Sequence, residues 1–506
     1  MGKARKALRV ILYSLASIIG AFVILFAAIL IMSNLSAAPG HENDEFYELR
    51  ATDLEESEVH SGSDFDESQM SESSSTDYDI SDLPVDEATY GGYTEEYLPS
   101  PESEYNEYYE YYEYPNDYMQ GLLPLEAGYL SESLQAAIDD IATRHRAIGV
   151  QVAVIRNGTV YGAHSFGYAS RDIQAMTDEH KIRVASLTKP ILAMTIMALE
   201  DEGILSIDED IGEYWGMTVR NPNRSDYPIT LQQMLSHTSS INDFPLGFHS
   251  NDALLREQFR DGTIFRNTTP GRIGSWLYSN FAYTTLGVTV EVAVWETVNS
   301  LASEFLFQPL EIDAAFGSGS VERTDLLATL YTAGGGIGRS VSRQIDTPGS
   351  TFPGETGVEF SGGLTISATD LAQLLAVLIN NGQYRGVNIL SPESVARMES
   401  SMGSTGSFEQ LLSMRKVSGL FGEEVLIYHT GSNFGMFALM SYNPINGNGV
   451  VVLTSGARDE RNALGMRLVC ADISEYIYAY LRMGNDAEEI CLTSASQLPV
   501  RSPIFD

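Results

Sequence analysis

The chain has 506 residues and a formal net charge of -38, from 68 acidic and 30 basic residues. That balance excludes a nucleic-acid binder, which needs a basic face to displace counterions from phosphate, and an anionic lipid surface would also repel it. The two cysteines, Cys470 and Cys491, cannot build a disulfide scaffold or a four-thiolate zinc site within one chain, although outside the membrane they could pair with each other.

The first nine residues carry Lys3, Arg5, Lys6 and Arg9, and the 23 residues from Val10 to Met32 are uncharged. As a helix this stretch would rise ~35 Å, enough to cross a hydrocarbon core of roughly 30 Å. A cleavable signal peptide is the alternative, with Ser36, Ala37 and Ala38 as small residues nearby. Its apolar region usually runs only about 7 to 15 residues, so an uncleaved anchor is the expectation. The basic flank then stays in the cytoplasm and the rest of the chain lies outside.

Residues 41–120 hold 25 acids against one base, Arg50, whereas residues 121–506 hold 43 acids against 25 bases. From about Ser33 to residue 125 the sequence is rich in Glu, Asp, Ser and Tyr without a sustained apolar period. It reads as a disordered spacer, extended by self-repulsion. The tyrosines of the run from Glu104 to Tyr112 are a candidate adhesive surface for a wall polymer.

Folded structure begins near residue 130, where Leu134, Ala137, Ile138 and Ile141 recur at helical spacing behind a cap at Ser131 or Ser133. Val150 to Ile155 and Thr159 to Tyr168 read as strands joined by the two-residue turn Asn157-Gly158. Three more strands are predicted at Val425 to Tyr428, Met436 to Ser441 and Val450 to Thr454, followed by an amphipathic helix from about Arg461 to Leu481. Strands from both ends with helices between them predict an α+β fold: one antiparallel sheet flanked by helices, plus a mostly helical lobe. The expected organisation is a tip and anchor over 1–32, a linker over 33–125, a catalytic domain over 126–485 and a tail over 486–506.

Ser186-Leu187-Thr188-Lys189 opens the apolar run Ile191 to Leu199, which predicts a buried helix starting near Ser186 and ending before Gly203. A spacing of three puts Ser186 and Lys189 on one face, within reach for the amine to take the hydroxyl proton. Lysine is scarce here, with only Lys181, Lys189 and Lys416 beyond the anchor, and a buried lysine can lose its proton whereas an arginine effectively cannot. By itself this spacing also fits an ordinary helix start.

Two further motifs follow in order: Tyr278-Ser279-Asn280 after Pro270-Gly271, and His429-Thr430-Gly431 on a predicted strand. With them the chain resembles the serine β-lactamase-like superfamily, in pattern nearest to class C β-lactamases, penicillin-binding D-alanyl-D-alanine peptidases and their esterase relatives. Leu235-Ser236-His237-Thr238-Ser239-Ser240, Gly362-Gly363-Leu364 and Thr369-Asp370-Leu371-Ala372 extend the resemblance, which covers roughly residues 130–482. It implies the β-lactamase/transpeptidase-like fold, with Ser186 as nucleophile, Lys189 as base and Tyr278 as proton shuttle and activator of the deacylating water. It also implies that Asn280 orients Lys189 and binds a substrate amide, that His429 and Gly431 border the substrate, and that the main-chain N–H groups of Ser186 and Ser432 hold the oxyanion.

Three positions depart from that pattern. His429 stands where a lysine is usual, removing a permanent cation and implying weaker binding of carboxylate-bearing substrates. Ser240 and Glu311 stand where glycine is usual, implying an altered backbone at two turns. The resemblance makes His237 structural rather than catalytic.

The dispersed histidines offer no metal-ligand motif, so no metal or cofactor is expected, and the glycines from Gly334 to Gly338 read as a flexible loop near the site. The leading reading is an extracytoplasmic, membrane-anchored serine hydrolase acting on a small-molecule or peptide ester or amide, with a peptide derived from cell-wall peptidoglycan as the candidate natural substrate. A β-lactamase or D,D-carboxypeptidase is the alternative within the same chemistry. A penicillin-binding sensor and a noncatalytic wall-binding protein are the alternatives outside it.

Overall fold

The computed structural model describes residues 128–243 and 250–483. The expected anchor, the linker, the tail over 486–506 and Cys491 lie outside the described residues. Among the described residues no helix is long and apolar enough to cross a membrane.

Helix α1 (Glu132–Arg144) starts where Ser131 accepts the Leu134 N–H, and it buries Leu134, Ala137, Ile138, Ile141 and Ala142. The predicted cap and periodicity therefore both hold. Truncating Leu134 to alanine here would cost about 2–5 kcal/mol. Strands β2 (Gly149–Arg156) and β3 (Thr159–Ser170) form the expected hairpin. Its turn residues Asn157 and Gly158 have φ of 50° and 77°, the left-handed pair that a two-residue hairpin turn requires.

The central sheet has ten strands. Besides β2 and β3 it contains the edge strand β1 (Gly128–Tyr129), β4 (Gln174–Ala175), β5 (Gly403–Ser404), β6 (Glu409–Gln410), β7 (Arg415–Val417), β8 (Leu426–Asn433), β9 (Met436–Tyr442) and β10 (Gly449–Ser455). The order is β1-β3-β2-β10-β9-β8-β7-β6-β5, with β4 paired to β3. All pairs are antiparallel except β1 with β3, which is parallel, and no parallel strand was expected.

Both faces of the sheet are covered, and the period of two divides its side chains between two cores. Val150, Val152, Val154, Leu439, Val450 and Val452 pack with α1 and the C-terminal helix α5 (Leu468–Met483). Ala153, Ile155, Met440, Val451 and Leu453 face the helical lobe, which contributes α2 (Thr188–Asp201), α3 (Asn280–Val294) and α4 (Ala368–Ile379). Fully burying each such aliphatic side chain contributes about 1.5–3 kcal/mol before entropy is subtracted.

One sequence expectation is corrected. Helix α5 begins at Leu468, not near Arg461, because Asn462 Oδ1 accepts the N–H groups of Leu464 and Met466, and Arg461 and Arg467 form a β-bridge that closes the preceding loop. Ser240 and Glu311 both take the left-handed conformation that glycine adopts without strain, at φ of 64° and 57°. Ser240 is held there by Asn221, whose Nδ2 donates to its hydroxyl at 2.9 Å.

Candidate active site

Ser186, the candidate nucleophile, sits at a junction of sheet and lobe. A single 3-10 turn, Ala185–Leu187, precedes α2, and Ala185 carries a φ of 47°, a strained conformation for a residue with a side chain. A strand at Ile182–Arg183 pairs with Leu364–Ile366, and the Leu364 N–H donates to Thr188 Oγ1 at 3.0 Å. The Gly362-Gly363-Leu364 signature is thus stitched to the turn that presents Ser186.

Lys189, one helical turn on, has no solvent exposure. Its Nζ donates to Ser186 Oγ at 3.1 Å, Asn280 Oδ1 at 2.9 Å and the Ser361 carbonyl at 2.6 Å, so all three ammonium protons have acceptors. Its Nζ also lies 4.9 Å from the centre of the Tyr278 ring and 5.3 Å from that of Tyr283. Gly287 of α3 permits the approach of the Val358–Ser361 turn that carries one of these acceptors, since a Cβ there would meet the Phe360 ring at 2.1 Å.

The Tyr278 hydroxyl donates to Ser186 Oγ at 2.8 Å. His237 holds this tyrosine in place. Its carbonyl accepts the Leu277 N–H at 3.0 Å, its Nδ1 accepts the Ser279 N–H at 3.2 Å, and its ring lies 4.5 Å from that of Tyr278. Burial, then Lys189, His429 and Arg415, hold His237 well below its ordinary range. It is therefore neutral, with its proton on Nε2, and it buttresses the segment that carries Tyr278.

The third motif lies on β8, whose pairing explains why it faces the nucleophile. Strand β7 pairs with β8 only from Leu426 to Tyr428, whereas β9 pairs from Ile427 to Asn433. The edge from His429 onward is therefore free of a strand partner on the β7 side. Gly431 uses that freedom: a Cβ there would meet the Val184 carbonyl at 2.6 Å and the Ser186 nitrogen at 3.4 Å. His429 is buried, and its Nδ1–H donates to the Thr430 carbonyl at 2.7 Å. Burial, then Arg415 and Lys189, hold it well below the usual histidine range, so it is neutral and offers Nε2 as an acceptor.

Two residues of the site were missed in the sequence. Asp243 Oδ1 accepts the N–H groups of Asn280 at 2.9 Å and Phe281 at 3.1 Å, supplementing the Ser279 cap of α3 and fixing the Asn280 that touches Lys189. Its sequence signal was faint, an acid 37 residues before the helix whose positive end it meets. The other is Arg415 of β7, whose guanidinium carbon lies 5.8 Å from the Tyr278 ring centre and 4.6 Å from that of Phe408. It places a permanent cation beside the motif in which His429 stands where lysine is usual. The Gly334–Gly338 segment does lie near the site: its hairpin packs on the β8–β9 turn, where a Cβ on Gly338 would meet the Phe434 carbonyl at 2.2 Å.

Ser186, Lys189, Tyr278, Asn280, His429 and Gly431 are thus brought together, and Ser432 follows Gly431 on β8 with its hydroxyl on the opposite face, bonded to Arg467. Residues 134–472 match the Beta-lactamase family model. Among curated proteins, the chain is 24% identical over 323 residues to the protein flp of Staphylococcus aureus (strain N315), covering 61% of this chain and 59% of that protein. It is 27% identical over 217 residues to the esterase EstB of Burkholderia gladioli, covering 39% of this chain and 55% of that protein. The alignments thus span under two thirds of the length of these relatives. A class C β-lactamase structure from Rhodobacter sphaeroides superposes with a TM-score of 0.54 at 20% identity, covering 69% of this chain and 99% of that one, and shows the same fold.

Proposed function

The chain belongs to the β-lactamase family, and from that premise we propose that it is a serine acyl hydrolase forming an acyl-enzyme on Ser186. The carrying observation is the pair of contacts on Ser186 Oγ, from Lys189 at 3.1 Å and Tyr278 at 2.8 Å, with Lys189 itself held by Asn280 and Ser361. For turnover the Lys189–Tyr278 pair first sheds one proton, leaving a free amine or a phenolate; Ser186 Oγ then attacks the acyl carbon as its own proton passes to that basic site. Tyr278 returns a proton to the leaving amine or alkoxide as the tetrahedral species collapses. Water then enters, loses a proton to the same pair, and releases the acid and Ser186.

The favoured substrate is an ester or amide carrying a carboxylate, such as a peptide derived from peptidoglycan. Arg415 supports this choice, because a guanidinium flanked by Tyr278 and Phe408 is a fixed cation at the mouth of a site where His429 is neutral. The esterase relative supports ester turnover as a second capacity. An extracytoplasmic location, with the segment Val10 to Met32 as membrane anchor, is part of the proposal and rests on the charge pattern of the N-terminus.

Turnover ratios on a chromogenic cephalosporin, a short-chain ester and a D-alanyl-D-alanine peptide test this reading. Hydrolysis of the ester and peptide with little cephalosporin turnover supports it. Rapid cephalosporin turnover would instead mark a β-lactamase, and a stable penicillin adduct without turnover would mark a sensor.

A further inference from the structure

Alternation along β8 puts Ile427 toward the helical lobe and Leu426 and Tyr428 toward α5. The same period turns Ser432 away from the nucleophile, on the face opposite Gly431. There its Oγ accepts a hydrogen bond at 2.8 Å from Nη2 of Arg467, the residue immediately before α5. Arg467 is only 5% exposed, its guanidinium lies 4.2 Å from the Phe437 ring centre, and it is ion-paired with Asp459. Phe437 is the cross-strand partner of Ser432, so one guanidinium grips both strands at that rung.

A buried arginine stays charged and is costly unless an anion and acceptors surround it. Here its near neighbours in sequence, Met466, Val469 and Cys470, belong to an apolar core that does not itself call for a cation. What the cation reaches is the segment of β8 held by a strand on one side only and pressed against the Ser186 turn. Such a one-sided segment needs another restraint if its N–H groups are to keep a fixed distance from the reacting carbonyl.

The geometry points to Arg467 as a positioning residue: through the Ser432 hydroxyl it fixes the main-chain N–H of Ser432 that holds the oxyanion together with that of Ser186. This rests on the acyl-transfer reading above. Asp459, two residues before the Arg461–Arg467 bridge, sets the guanidinium in turn.

The test compares wild type with R467Q, R467K, S432A and the S432A/R467Q double variant, using kcat and KM on a p-nitrophenyl ester. Affinity for a boronic acid that forms a tetrahedral adduct and melting temperature are measured alongside. R467Q is expected to lower kcat and boronate affinity by about tenfold with KM changed by less than about twofold, because a small displacement of a catalytic donor acts on the transition state. R467K should recover part of the loss, S432A should match R467Q, and the double variant should be no worse than either single one. A folded R467Q with wild-type kcat and boronate affinity, or losses that add in the double variant, would overturn the inference. Should R467Q fail to fold, S432A decides: wild-type kcat and boronate affinity in that variant overturns it as well. A wild type that neither turns over ester nor binds boronate overturns the acyl-transfer reading and this inference with it.

Discussion

Asp243 and Asn280 are joined twice over: Asp243 Oδ1 takes the Asn280 main-chain N–H at 2.9 Å, and Oδ2 lies 3.5 Å from the Asn280 side-chain nitrogen. With the amide group held in that orientation, its oxygen is turned to Lys189 at 2.9 Å. Ser279 caps α3 by accepting the Ala282 N–H, and the Asp243 carboxylate supplements that cap while setting the hydrogen bonding of the candidate base.

Replacing Asp243 by alanine should thus show two separable effects. Ser279 remains as N-cap, but loss of the acceptor for the Asn280 and Phe281 N–H groups lowers stability by about 1.5–3 kcal/mol, measured by urea unfolding. Loss of orientation lowers kcat by about tenfold or more, measured on folded protein. D243N should be milder in both, since its side-chain oxygen can still accept the two N–H groups.

Arg415 should control substrate charge. Replacing it with glutamine is expected to raise KM for a carboxylate-bearing peptide by about 10- to 100-fold, the equivalent of a charge-assisted hydrogen bond of about 1.5–3 kcal/mol. KM for a neutral ester should change far less. Equal losses on both substrates would assign Arg415 to the framework of Tyr278 and Phe408 rather than to substrate recognition.

Two buried carboxyl groups behind the site give the fold a pH signature. Burial pushes Glu291 up to about 8 and Glu359 up to about 7, above the ordinary 4.5. The folded chain therefore holds protons on these groups at pH values where the unfolded chain has lost them. Stability must fall as pH rises from about 5 toward 8, and level off once both groups are ionised in the folded state. Glu291 accepts the N–H groups of Val298 and Gly354, so E291Q loses one acceptor and should be less stable at pH 6. Its melting temperature should nonetheless fall less than that of wild type between pH 6 and pH 9. An unchanged slope would show that Glu291 ionises normally.

The legible parts of this protein were those written by local rules. Ser131 as cap, the left-handed Asn157-Gly158 pair and the period-two strands follow from residues within a few positions of one another. Ser186 and Lys189 were legible because one helical turn separates them, and the other motifs because the family pattern supplies their order. Asp243 and Arg415 were not, since each acts across the fold on a partner that no local period names. The start of α5 was misread because the apolar pattern cannot register the Asn462 turn or the Arg461–Arg467 bridge. Ser240 and Glu311 show a converse limit: a left-handed backbone position can be occupied by a residue other than glycine, which residue type alone does not reveal.

The most direct test of the central claim is covalent labelling of Ser186. Purified protein is treated with a fluorophosphonate, its intact mass is recorded, and the modified peptide is mapped, for wild type and S186A in parallel. One adduct per chain on Ser186 in wild type, and none in a folded S186A, is the expected result. A folded wild type that takes no label, or an S186A variant labelled as readily as wild type, would contradict the assignment of Ser186 as the nucleophile.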